Sequence, residues 1–172
     1  CELKSEAVNI IAHYDDNSIG SDEIVKMKEM NMNLINPKNI TGGELRKVVK
    51  GIREKVELFV IYPDITPEIT DRLTKKPMKT FDCKIFSRKA RLHSGLSEIA
   101  KLAKAKVVFF CIYDTGSKLD LDIIDTLNWN EVKERSPIVI ERAIKKHAPQ
   151  WLLWHSPSLF YFNSSDRIRK IK

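Results

Sequence analysis

The chain has 172 residues, 42% of them hydrophobic and 31% charged, and a formal net charge of +7. This is the composition of one ordinary globular domain with a real core, too short for two comfortable ones. No stretch approaches the roughly 18 consecutive apolar residues of a membrane-spanning helix, so no membrane partner is expected.

The charge is uneven. Residues 41–113 hold sixteen Lys/Arg against eight Asp/Glu, whereas residues 1–40 hold four Lys against seven Asp/Glu. The basic excess therefore belongs to the body of the domain and favours a phosphate-bearing partner through counterion release. Cys1, Cys83 and Cys111 are odd in number and lack metal or redox spacing. That usage fits a reducing compartment, nuclear or cytoplasmic. The chain begins at Cys1 rather than Met, as a domain cut from a longer chain would, and no signal-peptide pattern precedes the first apolar run.

In chain order, Val8–Tyr14 reads as a first strand or an extended arm, and Asp15–Gly20 as a turn. Ser21 caps a helix with Ile24, Met27 and Met30 on one side, and Asn36-Pro37 breaks the apolar stretch that follows. Thr41 caps the next helix, with Glu44 three residues on as a capping box requires and Leu45, Val48, Val49 and Ile52 as its buried face. Val56–Tyr62 is an apolar strand closed by Pro63-Asp64. Thr66-Pro67-Glu68 opens a helix with Ile69 and Leu73 inward, and Phe81–Phe86 is a short middle strand. Ser94 or Ser97 starts a helix with Leu96, Ile99, Leu102 and Ala103 on the core side, and Val107–Tyr113 is a strand. Asp120–Leu127 and Ile138–His147 read as further helices. Alternating strands and helices predict an α/β protein over residues 1–150, a three-layer α/β/α sandwich with a small mixed sheet. Residues 151–172 form an aromatic and basic extension packed on that domain or on a partner.

The helix start at 41–53 is the first site candidate. Gly42 and Gly43 permit close backbone approach, and a helix N-terminus offers N–H groups to phosphate. Lys47 and Lys50 have the reach for phosphates, and Glu44 and Arg46 for base edges. The order of these features, Gly-Gly-Glu-Leu-Arg-Lys, a helix, a strand, then Asp64-Ile65-Thr66-Pro67-Glu68, resembles the kink-turn RNA-binding superfamily of small ribosomal proteins. That superfamily includes box C/D and box H/ACA core proteins and a protein subunit of RNase P. Glu44 and Lys47 match its Glu and Lys, Asp64 and Pro67 its turn, Ser97–Ala103 its short helix and residues 107–113 its final strand; Gly43 stands where the family has Asn. The resemblance covers residues 24–125. It implies a non-catalytic RNA-binding subunit of a ribonucleoprotein whose RNA face is Gly42, Gly43, Glu44, Arg46, Lys47 and Lys50. By position, Lys101, Lys104 and Lys106 before the last strand join that face.

Two other readings stand beside it. Asp15 or Asp16, Asp64 and Asp114 follow apolar runs, with Asp120 and Asp122 nearby, and carboxylates at strand ends can hold Mg²⁺ as in a PIN-like nuclease. A protein-interaction module of the same fold is the third reading. The four histidines, His13, His93, His147 and His155, lack metal-ligand spacing, and no phosphate-binding glycine motif occurs, so no cofactor or metal is expected. Trp151, Trp154, Phe160, Tyr161 and Phe162 place five of the fourteen aromatic residues within twelve positions. They suit core closure, docking to other subunits of the ribonucleoprotein (through Trp151, Trp154, Phe160 and Phe162), or stacking on unpaired bases.

Overall fold

In this computed structural model, residues 7–12, 19–54, 57–67, 70–71 and 78–151 are described. Along the chain these form strand β1 (Ala7–Ile11), helix α1 (Ser21–Glu29), β2 (Met32–Ile35), α2 (Gly42–Arg53), β3 (Glu57–Ile61), β4 (Thr80–Ile85), β5 (Arg88–His93), α3 (Gly95–Ala103), β6 (Val107–Asp114), β7 (Leu119–Leu127) and α4 (Val132–Lys146). The α/β class expected from the alternation of periods holds. The pairing is more segregated than one mixed sheet: β2-β1-β3 is a parallel sheet, while β4-β5 and β6-β7 are antiparallel ribbons. No helix among the described residues is long and apolar enough to cross a membrane.

The β2-β1-β3 order reverses direction after β2. By the right-handed rule for parallel crossovers, that reversal assigns α1 and α2 to opposite faces of the sheet, a three-layered unit. A polar ladder runs across it. Asn9, only 6% exposed, donates to Glu57 Oε2 at 3.1 Å and accepts from Asn33 Nδ2 at 3.3 Å, so the buried amide is satisfied from both neighbouring strands. Gly51 lets α2 close on this ladder, because a Cβ there would stand 2.8 Å from Glu57 Oε2.

The apolar core lies in the other half. Ile85, Ala90 and Leu92 from the β4-β5 ribbon, Ala100 from α3, Phe109 and Leu127 from the β6-β7 ribbon, and Val132, Val139, Ile140 and Ile144 from α4 form one buried cluster. Among the described residues, links between this half and the segments around the parallel unit include Arg53 Nη2 donating to the Leu102 carbonyl at 2.6 Å, Thr70 Oγ1 meeting His93 Nε2 at 2.8 Å, and Trp151 Nε1 donating to Asp64 Oδ2 at 3.1 Å.

Several local expectations change. Residues 119–127 are strand β7 rather than a helix. Leu119, Leu121 and Ile123 alternate with Asp120 and Asp122, and that period of two prevails over the helix-capping reading of Asp120. Met32–Ile35 is a strand, and Arg88–His93 supplies a partner for the expected middle strand. Leu102 is 48% exposed rather than in the core; Ala100 and Ala103 take the buried side of α3. Helix α4 begins earlier than expected and carries Pro137 inside it. Ile69, Leu73, Asp15, Asp16, Trp154, Phe160 and Phe162 lie outside the described residues.

The β4-β5 turn is strained. Phe86 and Ser87 both have positive φ, 49° and 64°, without a glycine or asparagine to favour it. Helix α4 compensates, since Glu141 Oε2 accepts the Phe86 N–H at 2.8 Å and Lys145 lies over the Phe86 ring. Ser87→Gly removes the left-handed penalty and should raise stability by about 1 kcal/mol in urea unfolding, with the slope unchanged.

Candidate functional site

Helix α2 starts as its sequence dictates. Thr41 N–H donates to Glu44 Oε2 at 2.6 Å and Glu44 N–H to Thr41 Oγ1 at 3.4 Å, a complete capping box. The Thr41 N–H holds the Glu44 carboxyl below its ordinary value of 4.5. Glu44 therefore serves the helix end rather than standing free for a base edge. Gly42 and Gly43 are exposed, and a Cβ at Gly42 would meet open space.

The expected basic face divides along the two flanks of α2. Arg46, Lys50 and Arg53 fall four and three residues apart on one flank, where with Leu45, Val49 and Leu102 they line a cleft of about 400 Å³ against α3. Lys47 and Glu44 fall on the other flank. They line a cleft of about 460 Å³ over the polar ladder, with Asn9, Asn36, Asn39 and Glu57 among its walls. The Arg53 bond to Leu102 sets the α2–α3 distance at the carbonyl-rich end of α3, where a cation is favoured by the helix dipole. Lys101 and Lys104 flank Leu102 and are exposed, and Lys104 ends α3 with φ 52°. Lys50 keeps only a loose pair with Glu54 at 3.7 Å. Lys106 is exposed just before β6 and does not line the cleft.

Arg46, Lys50 and Arg53 thus share one cleft with Glu54, Lys47 and Glu44 line the other, and Lys101 and Lys104 are exposed on α3 without lining either. Sequence reasoning did not single out Arg53 as a site residue. Its signal was present in the i, i+4, i+7 stripe of Arg46, Lys50 and Arg53, which separates these three from Lys47.

The acidic candidates are engaged individually. Asp64 accepts from Trp151, and Asp114 Oδ1 accepts the Gly116 N–H at 2.7 Å. Asp120 pairs with Lys118 at 3.4 Å, and Asp122 pairs with Lys146 at 2.7 Å and His147 at 2.8 Å. Bonds from Lys146 and then His147 hold the Asp122 carboxyl below the usual carboxylate range. Among the described residues no group of three His, Cys, Asp or Glu side chains is placed to hold a metal ion. Burial pushes the Cys83 thiol up to about 11 and raises that of Cys111 too, so neither is a thiolate near neutral pH. Trp151 is partly buried against the core, and its indole N–H donates to Asp64.

No protein-family model matches the sequence, and no curated protein matches it.

Two outcomes follow from this geometry. The Glu44 contribution to the start of α2 is complete above pH 4.5 and is lost as the pH falls through its lowered folded value, so amide exchange at Thr41 should accelerate only in that acid range when followed by NMR. Arg53→Met, which keeps the stem but loses the Leu102 bond, should cost about 1 kcal/mol in chemical unfolding, the bond being exposed.

Proposed function

We propose that the protein is a non-catalytic RNA-binding subunit of a nuclear or cytoplasmic ribonucleoprotein, holding structured RNA on the basic α2–α3 face and contacting other protein subunits. The observation that carries this reading is the meeting of two basic segments 49 residues apart, joined by the Arg53 bond to the Leu102 carbonyl, with Arg46, Lys50 and Arg53 lining the cleft between them and Lys101 and Lys104 exposed on α3. Several cations along one face suit a folded phosphate backbone rather than a single phosphate. Arg46 has the bidentate fork for phosphate or guanine, and the lysines act as mobile point charges. The exposed start of α2 supports the same reading, because Gly42 and Gly43 leave room for RNA to approach the backbone. The resemblance of residues 24–125 to the kink-turn family supplies the ligand class. The metal-dependent nuclease reading has no comparable support among the described residues, where the carboxylates are dispersed and bonded.

The test is an anisotropy titration in a salt series against kink-turn RNA, an unrelated hairpin and single-stranded RNA. Lys50→Glu with Lys101→Glu should weaken binding by tenfold or more and lower the salt slope by about 2, one for each phosphate that is no longer neutralised. Gly42→Ala should weaken binding while leaving the thermal transition in place. Unchanged affinity in the double variant, or no RNA bound at low salt, overturns the proposal. Shortened RNA in the presence of Mg²⁺ transfers the function to the carboxylates.

A further inference from the structure

The β6-β7 ribbon has two unlike faces. Its inner face is covered by α4 and carries Phe109 and Leu127, both buried. Its outer face carries Val108, Phe110 and Ile112 on β6 and Leu119, Leu121 and Ile123 on β7, all between 39% and 71% exposed. The strand register sets Phe110 beside Ile123 and Ile112 beside Leu121, so the six form one continuous apolar surface rather than scattered side chains. Contiguous apolar patches of more than a few hundred Å² mark an interaction surface. A sheet face of this kind is ordinarily covered by a second layer about 10 Å away.

We propose that the outer face of the β6-β7 ribbon is a self-complementary interface on which a second copy of this chain packs, sheet on sheet, with its strands reversed. Two observations select this occupant. The first is area: the six side chains expose apolar surface on the order of 600 Å², and with a polar rim this approaches the roughly 800 Å² per partner of a standard interface. The second is charge. The apolar patch ends at the exposed Asp114 on one side, and at the other, by the alternation of β6, at the exposed Lys106. A two-fold axis perpendicular to the strands lays each Lys106 over the partner's Asp114, so both poles are paired by the same operation that buries the apolar centre. Neither a lipid surface nor an unrelated protein needs a positive pole and a negative pole at opposite ends of one apolar face. The residues of this face are none of those that line the α2–α3 cleft, so this inference stands independently of RNA binding.

The experiment is sedimentation velocity of the full chain over a concentration series. The expected result is a reversible monomer–dimer equilibrium. Leu121→Glu should raise the dimer dissociation constant about thirtyfold or more without changing the far-UV circular dichroism, as for the loss of a central anchor. Lys106→Asp should weaken the dimer, and Lys106→Asp combined with Asp114→Lys should restore it to within about threefold, because the double change swaps the poles across the two-fold axis. A monomer at every concentration overturns the proposal, as does a dimer indifferent to Leu121→Glu. Failure of the double charge swap to restore association overturns the reversed register. Binding of monomers to lipid vesicles that is abolished by Leu121→Glu would assign the face to a membrane surface instead.

Discussion

The burial of one face of α4 is the constraint on which the other elements depend. Val132, Val139, Ile140 and Ile144 enter the inner faces of both antiparallel ribbons and meet Ile85, Leu92, Phe109 and Leu127 there. Each such side chain contributes about 1.5–3 kcal/mol when fully buried, and a two-stranded ribbon in water is marginal without it. The helix is fixed by charge as well. Asp125 takes Arg135 at 3.1 Å and Arg142 at 3.3 Å, Asp122 takes Lys146 and His147, and Glu141 reaches back to the strained β4-β5 turn. Packing sets the depth of α4 against the ribbons, and these pairs set its rotation.

This arrangement decides which cations are available to a ligand. Arg135, Arg142, Lys145 and Lys146 of α4 are matched by carboxylates of β7 and by glutamates one turn away. On α2, Lys50 pairs with Glu54 at 3.7 Å, a long and exposed contact of a class that contributes little to stability. Arg46, Lys47, Lys101 and Lys104 are exposed alongside it, where they can act on a polyanion. Arg53 is the exception that organises the rest. By bonding a carbonyl at the end of α3, it converts two separate basic helices into the walls of one cleft.

The parallel unit and the ribbon half follow different rules. In the first, a polar ladder through Asn33, the buried Asn9 and Glu57 crosses the strands, and such a network favours one register because a slip would leave Asn9 unpaired. In the second, the core is apolar and the polar contacts sit at its margin. Among the described residues, bonds between Arg53 and Leu102 and between Trp151 and Asp64 join the halves across 49 and 87 residues of sequence.

Much of the fold was legible in the sequence where one local signal was strong. The Thr41–Glu44 capping box, the apolar strands at 57–61 and 107–114 and the helix after Ser94 all appear where their residues place them. Residues 119–127 carried both a capping aspartate and a period of two, and the strand emerged because β6 offered a partner ladder that an isolated segment lacks. The basic residues of the candidate site were likewise readable as a class. Their division was not, because the flank of α2 that meets α3 depends on where α3 packs, and the exposure of Leu102 depends on the same packing. By itself the sequence determined the α/β class, the start of α2 and the concentration of positive charge in residues 41–113, since capping, periodicity and composition act locally. Only the tertiary structure decided which flank of α2 forms a cleft with α3, that Asp64 and Asp122 are already paired and which face of the β6-β7 ribbon is left open, since each of these depends on contacts between segments tens of residues apart.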